Sequence, residues 1–330
     1  MKMNSILQRQ RTASKVAIDE RFLNDVINGL SSEEKYLQSK YFYDEIGDKL
    51  FQKIMACPEY YLTKCEMEIF TQQKNKIASI FIKNLTVFDV VELGAGDASK
   101  SIHLLSELQK TWINFTYYPI DISKNVIRYL QQQLPQEVPS LNIKGMNGEY
   151  FNMLEKVNAL SSRSKVVLFL GSNIGNVPLQ EAIEFCSSLR SHLNVGDLLL
   201  IGFDLKKDPQ VILDAYNDKA GYTRDFNLNL LLRINNELGA DFVLENFKHQ
   251  PTYDDATGAC KSYLISTKDQ EVVIDQQVFY FEEGERIYME ISQKYSVEQT
   301  DELATNTGFL PVEHLYDSRK WFVDAVWQCI

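Results

Sequence analysis

LTVFDVVELGAGDASK, residues 85–100, decides the fold. The run rich in Val, Phe and Leu reads as a buried strand, and it breaks into Gly94, Ala95 and Gly96, where the backbone can approach a ligand closely. A dinucleotide fingerprint needs GxGxxG, because the third glycine lets the helix pack closely on the strand. Ser99 stands at that third place. A phosphate-cradling Walker loop, GxxxxGK[ST], does not fit this stretch either. What remains is E-x-G-x-G, from Glu92 to Gly96, at the carboxyl end of a first strand. Carboxyl ends of strands are where open α/β sheets hold their ligands.

Outward from this strand the chain alternates. EMEIFTQQKNKIASIF carries apolar residues at helical spacing, and DASKSIHLLSELQKT continues as a helix with Asp97 and Ser99 as cap candidates. TYYPIDI reads as a second strand and SKNVIRYLQQQL as a second helix capped by Ser123. LNIKGMN is a weak third strand, KVVLFLG a strong fourth, PLQEAIEFCSSLRSHL a helix and GDLLLIGFDL a fifth strand. This rhythm of helices and near-continuous apolar strands predicts a parallel α/β sheet covered on both faces. Past residue 206 it breaks. PQVILDAYNDKAGYTRDFNLNLLLRINNEL is mostly helical, whereas KSYLIST, EVVIDQQVFYF and RIYMEISQKYS alternate with period two. The closing WFVDAVWQCI belongs with the first sheet. The expected organisation is a cofactor domain of residues 64–206 plus 294–330, and a second α+β domain of residues 1–63 plus 207–293 that binds substrate.

Acids after successive strands indicate the ligand. Asp121 closes the second strand, where a carboxylate can accept from two ribose hydroxyls. Glu149 and Tyr150 follow the third, placing an acid near an adenine amino group and an aromatic ring against the base. Glu92 lies where a cationic amino-acid end would sit. With no phosphate cradle, this set fits S-adenosylmethionine, which carries a sulfonium, an ammonium and a ribose. The expectation is a class I methyltransferase core, a Rossmann-like doubly wound sheet.

Longer motifs sharpen the reading. KYFYDEIGDKLFQKIMACPEYYLT, VELGAGDASKS, FLGSNIGN, LKKDPQVILDAYND and YMEIS together resemble the histidine Nα-methyltransferases of ergothioneine biosynthesis, over residues 36–330 and in the family's order. The resemblance implies an S-adenosylmethionine-dependent N-methyltransferase acting on L-histidine up to trimethylation, giving hercynine. By the same resemblance, Gly94, Gly96, Lys100, Asp121, Glu149 and Tyr150 hold the cofactor, with Glu149 replacing the family's usual Asp. Tyr43 sits near both ligands, and Asn176 faces the amine within the loop that starts at Gly171. Tyr60 and Tyr216 bind the carboxylate, while Glu290 and Ser292, two apart on one strand face, read the imidazole. Asn173 stands where the family commonly has Thr, and the region around Ser262 aligns with a pocket methionine. The same chemistry on another amino acid or histidine derivative, and a non-catalytic binding protein, are the alternatives.

The residue types suit the reaction. Methyl transfer from a sulfonium is an in-line displacement, so catalysis is mostly positioning and desolvation. A free α-amine has a pKa near ~8, so part of it is neutral without a strong base. Asn176 can orient it through its side-chain carbonyl.

The bulk composition is consistent with this. The chain has 330 residues, 45% hydrophobic, enough for one large core or two smaller ones. Its 34 basic and 45 acidic residues give a formal charge of −11, which argues against nucleic-acid or anionic-membrane partners. Cys57, Cys65, Cys186, Cys260 and Cys329 form no CxxC pair, and with four scattered histidines no metal site is expected. MKMNSILQRQRTASK is too polar for a secretory leader, and no apolar run approaches the ~20 residues that span a bilayer. A cytoplasmic monomer working on a small amino acid is the expectation.

Overall fold

A computed structural model describes residues 19–330 except 112. The polar opening MKMNSILQRQRTASK lies outside the described residues. The first two thirds of the chain supplies β1 (Phe88–Leu93), β2 (Thr116–Asp121), β3 (Asn142–Ile143), β4 (Met146–Asn147), β5 (Ser164–Phe169) and β6 (Leu198–Asp204). Then come β7 (Phe247–Asp254), β8 (Ala259–Ser266), β9 (Gln270–Ile274), β10 (Gln277–Phe281) and β11 (Arg286–Gln293), followed by β12 (Phe309–Tyr316) and β13 (Phe322–Cys329).

The large sheet runs β12-β13-β6-β5-β1-β2-β3, with β4 continuing beside β2. Strands β1 to β6 of this sheet pair in parallel, and β13 lies antiparallel between β6 and β12. That is the class I methyltransferase arrangement, a doubly wound α/β sheet. The order turns back beside β1, between β2 and β5, so the crevice at the carboxyl end of β1 is the switch point where such sheets take ligands.

Alternating side chains feed two separate apolar layers, because successive residues of a strand point to opposite faces. Val90, Tyr117, Val166, Leu168 and Leu200 join one layer with helices Leu62–Gln72, Lys74–Asn84, Ser101–Gln109 and Lys124–Glu137. Val91, Leu93, Ile120, Val167, Leu199 and Trp327 join the other, with helices Tyr150–Leu160, Leu179–Ser191 and Val297–Asn306. All six residues of β1 are buried, as a strand covered on both faces must be.

Most expected elements lie where the sequence put them, with two differences. The helix after β1 starts at Ser101, and Asp97 accepts instead from the N–H of Ser99 at 2.9 Å, bracing the turn before the helix. Ser123 does cap its helix, accepting from the N–H of Val126. EVVIDQQVFYF is not one run but the hairpin β9–β10, turned at Asp275 and Gln276, both with positive φ.

The chain forms two compact units. The smaller takes the chain up to Leu50, Arg224–Gln250 and Tyr263–Met289; the larger takes Phe51–Thr223, Pro251–Ser262 and Glu290–Ile330. Residues 51–63, 207–223, 251–262 and 290–293, expected with the second domain, thus lie in the larger unit. Packing accounts for this: Tyr61, Leu62, Ile212, Ala215, Tyr216 and Cys260 share the apolar layer under the large sheet. In the smaller unit, Phe42 and Tyr43 both set their rings against Phe226. Among the described residues no helix is long and apolar enough to cross a membrane.

Helix Val297–Asn306 opens on a reciprocal capping box: Ser296 Oγ accepts from the N–H of Gln299, and Gln299 Oε1 accepts from the N–H of Ser296. Ser296→Ala removes the first bond at a cost of about 1 kcal/mol. Amides in 297–306 should then exchange with solvent about fivefold faster. Unchanged exchange there would show that the cap adds nothing.

Candidate functional site

The loop after β1 folds back on β2. The N–H groups of Gly94 and Ala95 both donate to the carbonyl of Ile120, at 2.9 and 3.2 Å. Gly94 has φ +72°, and a Cβ there would meet the Tyr150 hydroxyl at 2.8 Å, so this turn is open to glycine only. Asp121 accepts from the N–H of Gly96 at 3.3 Å through one oxygen and from that of Ser123 at 2.8 Å through the other. Each oxygen keeps a lone pair for a diol. Glu149 stands at the N-cap of helix Tyr150–Leu160, yet its side chain makes no cap hydrogen bond and is exposed. Burial pushes the Tyr150 hydroxyl up to about 12, so it stays neutral beside the loop. These residues make a concave, phosphate-free cradle, with carboxylates at the ends of β2 and β4.

Beneath the loop lies a buried network of acids around one lysine. Lys100 pairs with Glu66, whose other oxygen accepts from the N–H of Gly171 at 2.7 Å. Burial opposes the charge of Lys100, but Glu66 outweighs it and raises the lysine above its ordinary value. Asp324, fully buried on β13, receives no hydrogen bond from an N–H or O–H donor. Burial followed by the repulsion of Glu66 raises it well above the carboxylate range. Glu92 is also buried, its carboxyl taken up by the hydroxyls of Tyr117 and Ser101. Burial lifts it to about 7 against those two bonds.

A second buried network forms at the carboxyl end of β6. Asp204 is fully buried and accepts from Tyr61 at 2.9 Å, from Lys207, and from Lys294 at 2.7 Å. Burial works against its charge, yet the two ammonium groups hold its carboxyl below the ordinary range. Lys294, itself fully buried, also donates to the Tyr216 hydroxyl at 2.8 Å and to Ser292 Oγ at 2.7 Å, and those two oxygens are 2.6 Å apart. Burial and the Asp204 charge keep the Tyr216 hydroxyl far above its usual value, so it is a neutral donor. The Tyr60 ring meets that of Tyr216 edge-on at 6.2 Å.

The turn Asn173–Asn176 ties these parts together. Ser172 sits in the left-handed region, and its hydroxyl accepts from the N–H of Asp204 at 3.1 Å. A Cβ on Gly175 would meet the carbonyl of Gln293 at 2.8 Å, so only glycine lets the turn lie against the strand carrying Ser292 and Lys294. Asn176 is exposed at the end of this turn.

The larger unit therefore holds Gly94, Gly96, Lys100, Asp121, Glu149, Tyr150, Tyr60, Gly171, Asn176, Tyr216, Glu290 and Ser292. Tyr43 belongs to the smaller unit and is half-exposed. Sequence reasoning passed over Glu66, Tyr61, Asp204, Lys207, Lys294 and Asp324. Two carried a signal: Asp204 closes an apolar strand, and Lys294 follows Ser292 at the same-face spacing of two. Nothing local marks Glu66 or Asp324.

Comparison with known proteins bears on this geometry. A family model described as histidine-specific, SAM-dependent methyltransferase matches residues 22–329. The histidine N-alpha-methyltransferase of Mycolicibacterium smegmatis is 34% identical over 282 residues, covering 84% of this chain and 86% of that protein. Its counterpart in Mycobacterium tuberculosis is 32% identical over 82% of this chain and 83% of its own length. Ergothioneine biosynthesis protein 1 of Schizosaccharomyces pombe is 29% identical over 83% of this chain, which spans 36% of that longer protein.

The raised Glu92 has a consequence for stability. Between about 4.5 and about 7 the folded chain keeps a proton that the unfolded chain releases, so stability falls as pH rises through this window. Glu92→Gln cannot ionise and should gain on the wild type across it, by on the order of 3 kcal/mol at most. Urea denaturation of both proteins at pH 5 and pH 8 reads the difference, and parallel behaviour would refute it.

Proposed function

Since the chain belongs to the histidine-specific, S-adenosylmethionine-dependent methyltransferases, we propose that it methylates the α-amine of L-histidine up to three times, giving hercynine. The observation that carries this reading is the joined pair of Tyr216 and Ser292 hydroxyls, 2.6 Å apart, with Glu290 two residues before Ser292 on the same strand. One end of such a pair suits a carboxylate and the other an imidazole nitrogen. Glu290 accepts from the second imidazole nitrogen, and Tyr60, whose ring meets that of Tyr216, joins it at the carboxylate.

The cradle after β1 fits S-adenosylmethionine, which supplies an electrophilic methyl group on a sulfonium. Gly94 and Gly96 leave room for its amino-acid tail, and Asp121 takes the ribose diol. Glu149 and Tyr150 take the adenine, and Lys100, held by Glu66, takes the tail carboxylate. No basic phosphate cradle competes for these positions.

Asn176 orients the amine with its side-chain carbonyl as acceptor. The amine reacts when neutral, and with a pKa near ~8 it releases its proton to solvent without a dedicated base. Each transfer then removes one N–H donor. Asn176 sits at the exposed end of its turn, where a growing apolar cation meets no buried partner that must stay satisfied.

Purified protein with S-adenosylmethionine and a panel of amino acids, its products weighed by mass spectrometry, tests the acceptor. Mono-, di- and trimethylated histidine are expected, whereas methylation of a different amine alone would sink the proposal. Glu290→Ala should raise the KM for histidine by tenfold or more, on the order of 1–3 kcal/mol, and leave that for S-adenosylmethionine nearly unchanged. Equal increases in both would show the imidazole assignment wrong. Asp121→Asn should do the reverse, weakening the cofactor about tenfold while sparing histidine; isothermal titration with each ligand separates the two.

A further inference from the structure

We propose that Lys294 is a positioning residue that supplies the positive counter-charge for the acceptor's carboxylate and leaves the Tyr216–Ser292 hydroxyl pair one O–H to donate. The inference rests on the reading that an α-amino acid binds at Tyr216.

An ammonium buried this completely is costly unless each donor finds a partner. Lys294 has three N–H donors, and its three partners are Asp204 at 2.7 Å, Tyr216 at 2.8 Å and Ser292 at 2.7 Å. Salt-bridge chemistry alone would need only the first. The other two bonds place the charge one hydroxyl away from whatever Tyr216 touches.

Hydrogen counting gives the polarity of the site. Tyr216 and Ser292 bring two O–H hydrogens, and the 2.6 Å contact between them uses one. Each oxygen also accepts from Lys294. Three of the pair's four acceptor positions are therefore filled and one O–H is left over, whichever hydroxyl donates to the other. The pair meets a ligand as a donor, polarised by the ammonium behind it. That suits a carboxylate oxygen or an unprotonated ring nitrogen. It disfavours an amide N–H or a cation.

The ion cluster agrees. Asp204 is the carboxylate shared by Lys207 and Lys294, leaving one positive charge over. Glu290 also bears on Tyr216, but more weakly than Asp204, whereas Lys294 bonds that hydroxyl directly at 2.8 Å. A ligand carboxylate matches the surplus, and a peptide N-terminus, whose carbonyl is uncharged, does not.

The test compares L-histidine with L-histidinamide in the intact enzyme and in two variants. Wild-type kcat/KM should favour histidine on the order of a hundredfold, as when one side of a buried charge pair is missing. In Lys294→Met this preference should fall to about tenfold or less, with the KM for S-adenosylmethionine unchanged, because Asp204 still has Lys207 and Tyr61. Lys294→Gln keeps an N–H for Tyr216 without the charge and should show the same collapse. Equal use of histidine and its amide by the wild type would overturn the proposal without any variant. So would a preference that survives both substitutions while activity on both substrates drops alike, since that is the mark of a purely structural lysine. Absence of any methylated histidine from the wild type is a separate failure, that of the acceptor itself.

Discussion

A carboxylate with no access to water must be held by charges of its own, and Asp204 meets that constraint at the carboxyl end of β6. Two ammonium groups and a tyrosine hydroxyl converge on it from three separate stretches of chain: Tyr61, Lys207 and Lys294. Its backbone N–H donates to Ser172, and its carbonyl accepts from the N–H of Tyr295. Through these bonds one residue sets where the GSNIGN turn, the end of β11 and the start of the 207–223 segment lie. Losing both ammonium groups would leave a buried charge uncompensated, so the geometry is tightly specified.

The two buried networks have opposite character. Below the Gly94 loop, three carboxyls surround Lys100, and only Glu66 pairs directly with its ammonium. Asp324 and Glu92 avoid the cost of a second and third buried charge by holding protons more tightly than solvated acids do. Around Asp204 the lysines outnumber the acid they contact.

The sheet was legible because its signal is local and repeated. TVFDVVEL, KVVLFLG and GDLLLIGFDL are near-continuous apolar runs, the composition that strands buried on both faces favour. FKHQPTYD and FLPVEHLY also form strands, but Pro, His and Glu within them hide the period, and both lie outside the central parallel strands. The domain limits were harder to read for another reason. Tyr61, Ile212 and Cys260 are far apart in sequence yet share one apolar layer, and only tertiary packing brings them into one unit.

The same distinction separates the site residues that sequence reveals from those it hides. Groups proposed to touch a ligand sit in recognisable motifs, because a ligand dictates residue type and spacing together: Asp121 ends a strand, and Glu290 and Ser292 share a strand face. Groups that hold those residues in place answer to the interior instead. Glu66 needs only a lysine and a backbone N–H within reach, and Asp324 needs only Glu66, so neither requires a fixed spacing in the chain. Lys294 falls between the two kinds. It follows Ser292 by two because its ammonium must reach that hydroxyl from the same strand face, and its pattern becomes readable once Tyr216 and Asp204 are known to meet there.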